Sequence, residues 1–432
     1  MTRRIAPRIA PRLAGLCLVA LATLARAEPP HEPPRGVDEA WLASLALPPL
    51  ASTRDIIAAL PQVQAAQAGI AQSQARARQL AVGSHEWSLK LGAQQRNERG
   101  GPQYAESDVA LERALRWGGK AETDRALGEA GQVVGRSAYA DTWHESVRAL
   151  LVAWYDWQRE RSQAGVLAQQ AQLAQRQRDV AARRVQAGEA PRMDLLMAQA
   201  EWDRALASEQ QARGREQVQR QQLQQHYPGL LLVEPQAAAP WPSLTQDTQA
   251  WVQRILEDNH EIELAQAEAQ VARLHSERAR QDTRADPLVG VRAARERGGQ
   301  DQIVGLYVTL PLSGTYRDAQ QQVALAQLAA AEQRLAQTRR HVQATAQRTV
   351  LQAQQALGVA QRLVGVQQSQ AAVAELATKA YGLGELTLTE ALQARRLALD
   401  AALAAEVARW DALQGVARLL ADAHLLWSAD AH

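Results

Sequence analysis

The sequence predicts a mainly α-helical chain with a small β part, built twice over from a helix–hairpin–long helix–return helix unit. Three observations carry this prediction: a collinear internal repeat, two proline-free helical stretches of unusual length, and short alternating segments beside glycine turns.

The repeat is the strongest of the three. Glu98-Arg99-Gly100-Gly101 recurs 198 positions later as Glu296-Arg297-Gly298-Gly299. Val109 to Leu115 matches Val304 to Leu310, 195 later, because the second copy has three fewer residues between these blocks. Gly188-Glu189 returns 196 later as Gly384-Glu385, each glycine followed six residues on by an acid, Asp194 or Glu390. Collinear matches with gaps confined to loops indicate a tandem duplication.

Taken in chain order, the first element is a secretory signal peptide at 1–27. Arg3, Arg4, Arg8 and Arg12 precede an apolar run at 13–25, and Ala25-Arg26-Ala27 supplies the small residues of a cleavage site. An uncleaved anchor is the alternative, but the run is short for a membrane span. Cys17 lies in this leader, so the exported chain is expected to have no disulfide and no cysteine-bound metal. An extended segment follows at 28–52. The first repeat is expected at 53–226, a proline-rich linker (Pro228, Pro235, Pro240, Pro242) at 227–243, the second repeat at 244–425, and a tail at 426–432.

Each repeat opens on an Ala- and Gln-rich helix, 53–82 or 244–283. Two alternating segments around the Glu-Arg-Gly-Gly turn then read as a hairpin. In the second copy Val304, Leu306, Val308 and Leu310 share one face, opposite Gly305, Tyr307 and Thr309. Long helices follow at 119–185 and 315–381, each extending about 100 Å. They end at Gly188 and Gly384, and return helices begin at Pro191 and Leu386. The first and return helices, placed end to end, flank the long one as an antiparallel layer.

Composition excludes several function classes. The 48 basic and 46 acidic residues give a net charge of +2, no reason to invoke nucleic acid. Eleven Trp and no Phe suit a bilayer rim. Glycine-rich phosphate loops and nucleophile elbows are missing, so no enzyme and no cofactor is expected. Asp141, His144 and Glu145 lie together, yet Val147, Leu150, Leu151 and Trp154 make that stretch an ordinary amphipathic helix. The histidines show no i, i+4 pairing of a helical metal site, and His424, Asp430 and His432 read as a solvated tail.

Four strands cannot close a membrane barrel, since an open sheet in lipid leaves edge groups unsatisfied. Two copies would supply eight strands and three copies twelve, the smallest known barrels having about eight. A soluble periplasmic coiled-coil protein with incidental hairpins is the alternative of a different class.

The order of elements, with the turn motifs Arg184-Val-Gln-Ala-Gly188-Glu189-Ala-Pro-Arg192-Met-Asp194-Leu195-Leu and Tyr381-Gly-Leu-Gly384-Glu385-Leu-Thr-Leu388-Thr-Glu390-Ala-Leu, resembles the outer-membrane efflux protein family, whose type member is TolC. Leu306-Tyr-Val-Thr-Leu-Pro311-Leu resembles its strand-to-helix junction, and the resemblance spans about 53–425. It implies a homotrimer with a twelve-stranded β-barrel in outer-membrane lipid and an α-helical barrel crossing the periplasm. It also implies a periplasmic adaptor protein and an inner-membrane pump of the RND type. By the same resemblance Val304, Leu306, Val308 and Leu310 face lipid. The adaptor docks at the helix tips, around Arg184, Gly188, Glu189, Leu195, Tyr381, Gly384, Glu385 and Leu388. Asp194 and Glu390 lie at the periplasmic gate. The basic residue that locks some members two positions after the second glycine is replaced here by Leu386, so Arg184 or Arg192 would supply a different closing contact. Leu115-Arg-Trp117-Gly118-Gly119-Lys120 resembles the junction of the CzcC-like branch, which implies heavy-metal cations as cargo; drugs or other small molecules are the alternative, and protein secretion a third.

Overall fold

The computed structural model describes residues 39–233, 241–244, 246–312 and 314–428. The expected signal peptide with Cys17, linker residues Pro235 and Pro240, and Asp430 and His432 lie outside them. The elements are α1 (Glu39–Ser44), α2 (Leu50–Ala58), α3 (Pro61–Val82), β1 (Ser88–Asn97), β2 (Gln103–Ala114), α4 (Lys120–Gln186) and α5 (Arg192–His226). After the linker come α6 (Thr248–Glu257), α7 (His260–Asp282), β3 (Leu288–Glu296), β4 (Asp301–Thr309), α8 (Thr315–Leu383) and α9 (Leu388–Asp422). The order of α3 to α5 is thus repeated by α7 to α9.

Four expectations need correction. The segment expected to be extended at 28–52 is helical in α1 and at the start of α2, because Trp41, Leu42 and Leu45 find a core to pack against. The single first helix of each repeat is broken in two. Pro61 has no amide to continue the ladder and sits at the first turn of α3, where that loss is harmless. In the second copy the helix starts at Thr248, capped by Asp247, and restarts after Asn259, whose Oδ1 accepts from Ile262 N at 3.0 Å. The return helices begin one or two residues later than expected, at Arg192 and Leu388, with Pro191 and Thr387 as their caps.

The helices form a thin layer. α3 runs along the first part of α4, where Gly128 lets Ala77 approach so closely that an added Cβ would lie 2.9 Å from its Cα. α5 runs along the later part, through ion pairs such as Arg215–Glu160 at 2.9 Å. In the second repeat α7 and α9 flank α8 in the same way, with Gly415 of α9 against Ala353 of α8.

Large side chains gather in one belt. Trp143, Val147, Leu150, Leu151, Trp154 and Tyr155 of α4 are all buried, as the helical periodicity requires, against Val350 and Leu357 of α8 and Trp410, Leu413 and Leu420 of α9. The belt starts about 35 Å along α4 from its first residue. α2 and α6 cap it with Ile57, Trp251 and Ile255. Trp154 Nε1 donates to Ala46 O at 2.8 Å and the Tyr155 hydroxyl to Leu45 O at 2.6 Å, which satisfies both buried donors.

The four strands form one antiparallel sheet in the order β1-β2-β3-β4. β2 of the first repeat pairs with β3 of the second, leaving β1 and β4 as edges within the chain.

Candidate functional site

The register sorts the sheet into two unlike faces. On one, Leu89, Leu111, Val291 and Leu306 form a row, followed turnward by Leu91, Val109, Ala293 and Val304. Val289 and Val308 pair on the helix side of these rows. This face is open: Leu306 is 85% exposed and Val304 78%. An apolar surface of this kind on a single chain marks a surface made to be covered. Arg295 and Gln302 bound it on the turn side.

The other face is polar and cross-linked. Lys90 Nζ lies 2.6 Å from Glu112 Oε1, and Arg96 pairs with Glu106 at 2.7 Å and Glu296 at 3.0 Å. Tyr307 lies across Gly290, its direct partner in register, and its hydroxyl reaches Glu112 Oε2 at 2.5 Å. A Cβ at Gly290 would meet the Tyr307 ring at 2.5 Å, so glycine is required there.

Of the residues expected on the lipid side, Val304, Leu306 and Val308 lie on the apolar face. Leu310 lies beyond β4, which ends at Thr309 opposite Leu288. Pairing stops because the next residue of β4 in line to donate to the neighbouring strand is Pro311, which has no amide, while Pro287 turns its carbonyl to Leu115 on the other side. Leu310 is nevertheless exposed, as are Leu312, Leu115 and Trp117, so apolar surface continues past the strand ends.

The motif Trp117-Gly118-Gly119-Lys120 has a structural task. Gly118 and Gly119 take φ of 69° and 85°, turning the chain from β2 into α4. Lys120 is then driven into the second repeat, 1% exposed, and its ammonium donates to Arg284 O at 2.7 Å and Asp286 Oδ1 at 2.8 Å. Asp282 Oδ1 lies 3.1 Å from the same nitrogen, and His85 Nε2 meets Asp286 at 2.8 Å. Burial pushes the Asp286 carboxyl up, but the hydrogen bonds from Lys120 and His85 and the charge of Lys120 outweigh it and hold the group below its usual value. Nearby Arg116 donates to the last carbonyls of α3, from Leu80, Ala81 and Val82. Arg317 does the same for Asp282 at the end of α7.

At the far end of the helices the two turns meet. Gly188 and Gly384 adopt φ of 77° and 82°. Ala181, Ala198, Tyr381, Leu388, Ala391 and Leu392 make a small apolar cluster joining the repeats. The Tyr381 hydroxyl donates to Asp194 Oδ2 at 3.3 Å, while Arg184 donates to Tyr381 O at 3.2 Å and lies 5.0 Å from the centre of its ring. Burial first, then the Asp194 charge, pushes the Tyr381 hydroxyl up.

These positions divide the residues expected at the tips. Asp194 spans the repeats. Glu390 instead closes a capping box: Thr387 N donates to its carboxylate at 2.9 Å and the Thr387 hydroxyl at 2.7 Å. Those bonds hold the Glu390 carboxyl below its ordinary value. Gly188, Glu189, Gly384 and Glu385 are exposed and Leu195 is half-buried, whereas Tyr381 and Leu388 are used by the chain's own cluster. A docking surface there would draw its apolar side chains from Met193, Leu196 and Leu383, exposed residues that the turn motifs do not single out.

The histidines also behave differently from their sequence spacing. His144, His260 and His424 come together from α4, α7 and the end of α9. Among the described residues, however, no group of three or more His, Cys, Asp or Glu side chains is placed to hold a metal ion. No helix among them is long and apolar enough to cross a membrane, a statement that does not bear on strands.

The fold defined by these features is that of the TolC-like outer-membrane channels: a duplicated long-helix layer carrying a four-stranded, two-faced sheet. Solved structures share it over most of the chain. The outer membrane channel CmeC of Campylobacter jejuni superposes with a TM-score of 0.72 at 13% identity, over 91% of this chain and 88% of that one. The outer-membrane channel OprN gives 0.68 at 16% identity, over 91% and 93%. The outer membrane protein VceC of Vibrio cholerae gives 0.65 at 16% identity, over 86% and 95%. No family model and no curated protein matches the sequence itself.

Proposed function

We propose that this chain is the outer-membrane exit duct of a tripartite efflux system, receiving cargo from an inner-membrane pump of the RND type through a periplasmic adaptor. The observation that carries this reading is the sheet: one open apolar face, one ion-paired face, and two free edges on a four-stranded unit. A sheet in lipid has to satisfy every edge group. Three copies would close twelve strands, with the apolar face toward lipid and Lys90, Arg96, Glu106, Glu112 and Tyr307 toward water. The helical layers of the three copies would enclose a periplasmic conduit about 100 Å long. A soluble coiled-coil protein has no use for Leu306 and Val304 side by side in solvent.

The tips are the natural place to close the conduit. Tyr381 and Asp194 tie the two repeats there, and Arg184, which already reaches Tyr381, or Arg192 would supply the closing cationic contact that Leu386 cannot. The chain's cargo is assigned as heavy-metal cations on the resemblance of Trp117-Gly118-Gly119-Lys120 to the CzcC-like junction. Drugs and other small molecules are the competing cargo, and the structural task of Lys120 shows why the motif alone cannot decide between them.

Mass measurement of the detergent-extracted protein, followed by single-channel recording in planar bilayers, tests the duct. A conducting trimer is expected; a monomer that stays in aqueous solution with its sheet intact refutes it. Cargo is tested by deleting the gene in a strain with a complete pump. Lost tolerance to zinc, cobalt, cadmium, nickel, copper or silver is expected, and lost drug tolerance with unchanged metal tolerance overturns the assignment.

A further inference from the structure

The belt of large side chains holds a polar cluster that the duct does not explain. His144 lies on α4, His260 is the first residue of α7, and His424 follows α9. Their ring centroids are 4.7 Å (His260–His424), 5.2 Å (His144–His424) and 6.2 Å (His144–His260) apart. His144 and His260 are buried, and His424 is half-buried.

His424 stands where glycine is expected. Leu425 N donates to Leu420 O at 2.9 Å and His424 N to Ala421 O at 3.0 Å, the paired bonds of a left-handed helix end. The same pair closes α4 at Gly188 and α8 at Gly384. At the end of α9 a histidine takes the left-handed conformation instead, with φ of 56°. Local folding therefore disfavours the residue, while its ring completes the cluster.

The ring spacing matches a chemical requirement. A metal–nitrogen bond of about 2.0–2.1 Å places an imidazole centroid about 3.2 Å from the ion, so three imidazoles arranged tetrahedrally have centroids about 5 Å apart. The second nitrogens also have suitable neighbours. His144 Nε2 lies 3.6 Å from Asp422 Oδ1, and His260 Nδ1 lies 3.3 Å from Glu263 Oε2. Carboxylates in that role orient metal-bound imidazoles by accepting the N–H that faces away from the ion.

Charge points the same way. Asp141 on α4, Glu263 on α7 and Asp422 on α9 bring negative charge to the rings, and Arg148 and Arg418 pair with Asp422.

We propose that His144, His260 and His424 form a binding site for one divalent transition-metal ion per chain, of the imidazole-preferring class that includes Zn²⁺, Ni²⁺ and Cu²⁺. The donors do not converge in the ion-free chain, so binding turns the rings about their side-chain bonds while the three helix segments stay in place. The bound ion clasps the end of α9 to α4 and to the start of α7, across the two repeats. The site is independent of what the conduit carries.

The probe is Zn²⁺ alone, added to chelator-stripped, full-length protein in detergent, with bound metal measured after equilibrium dialysis. One ion per chain and a raised melting temperature are expected. H260A and H424G should each weaken binding at least about tenfold, while removal of residues 429–432 should change nothing. H424G relieves the left-handed strain, so in the absence of metal it should melt no lower than the parent; a binding loss in it cannot be blamed on misfolding. Uptake that survives both H260A and H424G, or that disappears with residues 429–432, overturns the proposal. So does a chain that takes up no Zn²⁺ yet shifts its melting between pH 5 and 7, because the cluster would then bind protons rather than metal.

Discussion

Replacing Leu306 by arginine separates a lipid-facing sheet from a merely exposed one. Leu306 stands in the row Leu89, Leu111, Val291, Leu306, with Val304 and Val308 on either side along its own strand. Apolar surface extends from the Val304 row past the strand end to Leu312, which puts Leu306 inside the buried height, one row in from its turn-side end. Arginine on the lipid side costs about 2–4 kcal/mol per site at the midplane and less toward the interface, so about 2 kcal/mol per site, or about 6 kcal/mol per trimer, is expected. In water the same change at a residue 85% exposed would fall within about 0.5 kcal/mol.

Ile303 is the control, because it lies on the same strand, three residues turnward of Leu306, but on the polar face, in the row of Asp108 and Ala294. Arginine there has a carboxylate to meet, and a cost below about 1 kcal/mol is expected. The assay is folding and trimerisation in phospholipid vesicles across a urea titration. The midpoint should fall sharply for Leu306→Arg and hardly at all for Ile303→Arg. Equal shifts for the two would refute the assignment of faces.

Other consequences can be measured separately. Tyr381→Phe removes the hydroxyl that ties the tips; at 3.3 Å the bond is loose, so about 1 kcal/mol is lost and single-channel open probability should rise about fivefold. An unchanged open probability would remove the pair from the gate. Glu390→Gln should alter cation selectivity less than Asp194→Asn, because its carboxylate is held by Thr387; the reverse order in bilayer recordings would contradict the capping role. Lys120→Met leaves Asp286 with His85 alone and Asp282 with Arg278 alone and should cost about 3 kcal/mol in denaturant titrations, an effect that a surface lysine would not show. Asp422 bears on pH: burial raises its carboxyl, but the His144 hydrogen bond and the Arg148 charge prevail and hold it below the ordinary value. Its folded value being the lower one, its stabilisation is complete above about pH 4 and disappears as pH falls through the folded value. Melting curves between pH 7 and 2 should show that loss, and Asp422→Asn should flatten it.

Regular features were legible in the sequence where the physics is local. The Gly188 and Gly384 turns, the alternation of Val304 to Val308 and the proline-free length of α4 and α8 each follow from backbone rules that one segment obeys alone. The breaks at Pro61 and Asn259 were missed because Ala and Gln favour helix on every face and mask an interruption. Glu390 carried a readable signal, Thr387 three residues before it, which is a capping box. The Tyr381–Asp194 tie, the descent of Lys120 into the second repeat and the meeting of three histidines were not readable. Each depends on residues well over a hundred positions apart whose approach is set by the pairing of β2 with β3 and the packing of α4 against α7 and α9.

The distribution of core along the helices says where the molecule can move. Outside its middle α4 touches its neighbours mainly through small residues such as Gly128, Ala164, Ala171 and Ala174, with Leu127 and Leu167 as larger exceptions, and its aromatic side chains are buried from Trp143 to Trp157. A wall built this way is thin enough to curve around a conduit, but it yields little buried area per turn of helix. Stability therefore concentrates in the belt, and openings that leave the belt intact are the least costly ones. The tips lie about 44 Å beyond Trp157 along α4 and are joined by six buried side chains, one loose hydroxyl bond and the Arg184 contacts. A hinge at the belt with motion at the tips follows from that imbalance. It also gives the histidine cluster a mechanical meaning, because a bound ion would stiffen the belt about which the tips turn and leave the contacts at the tips untouched.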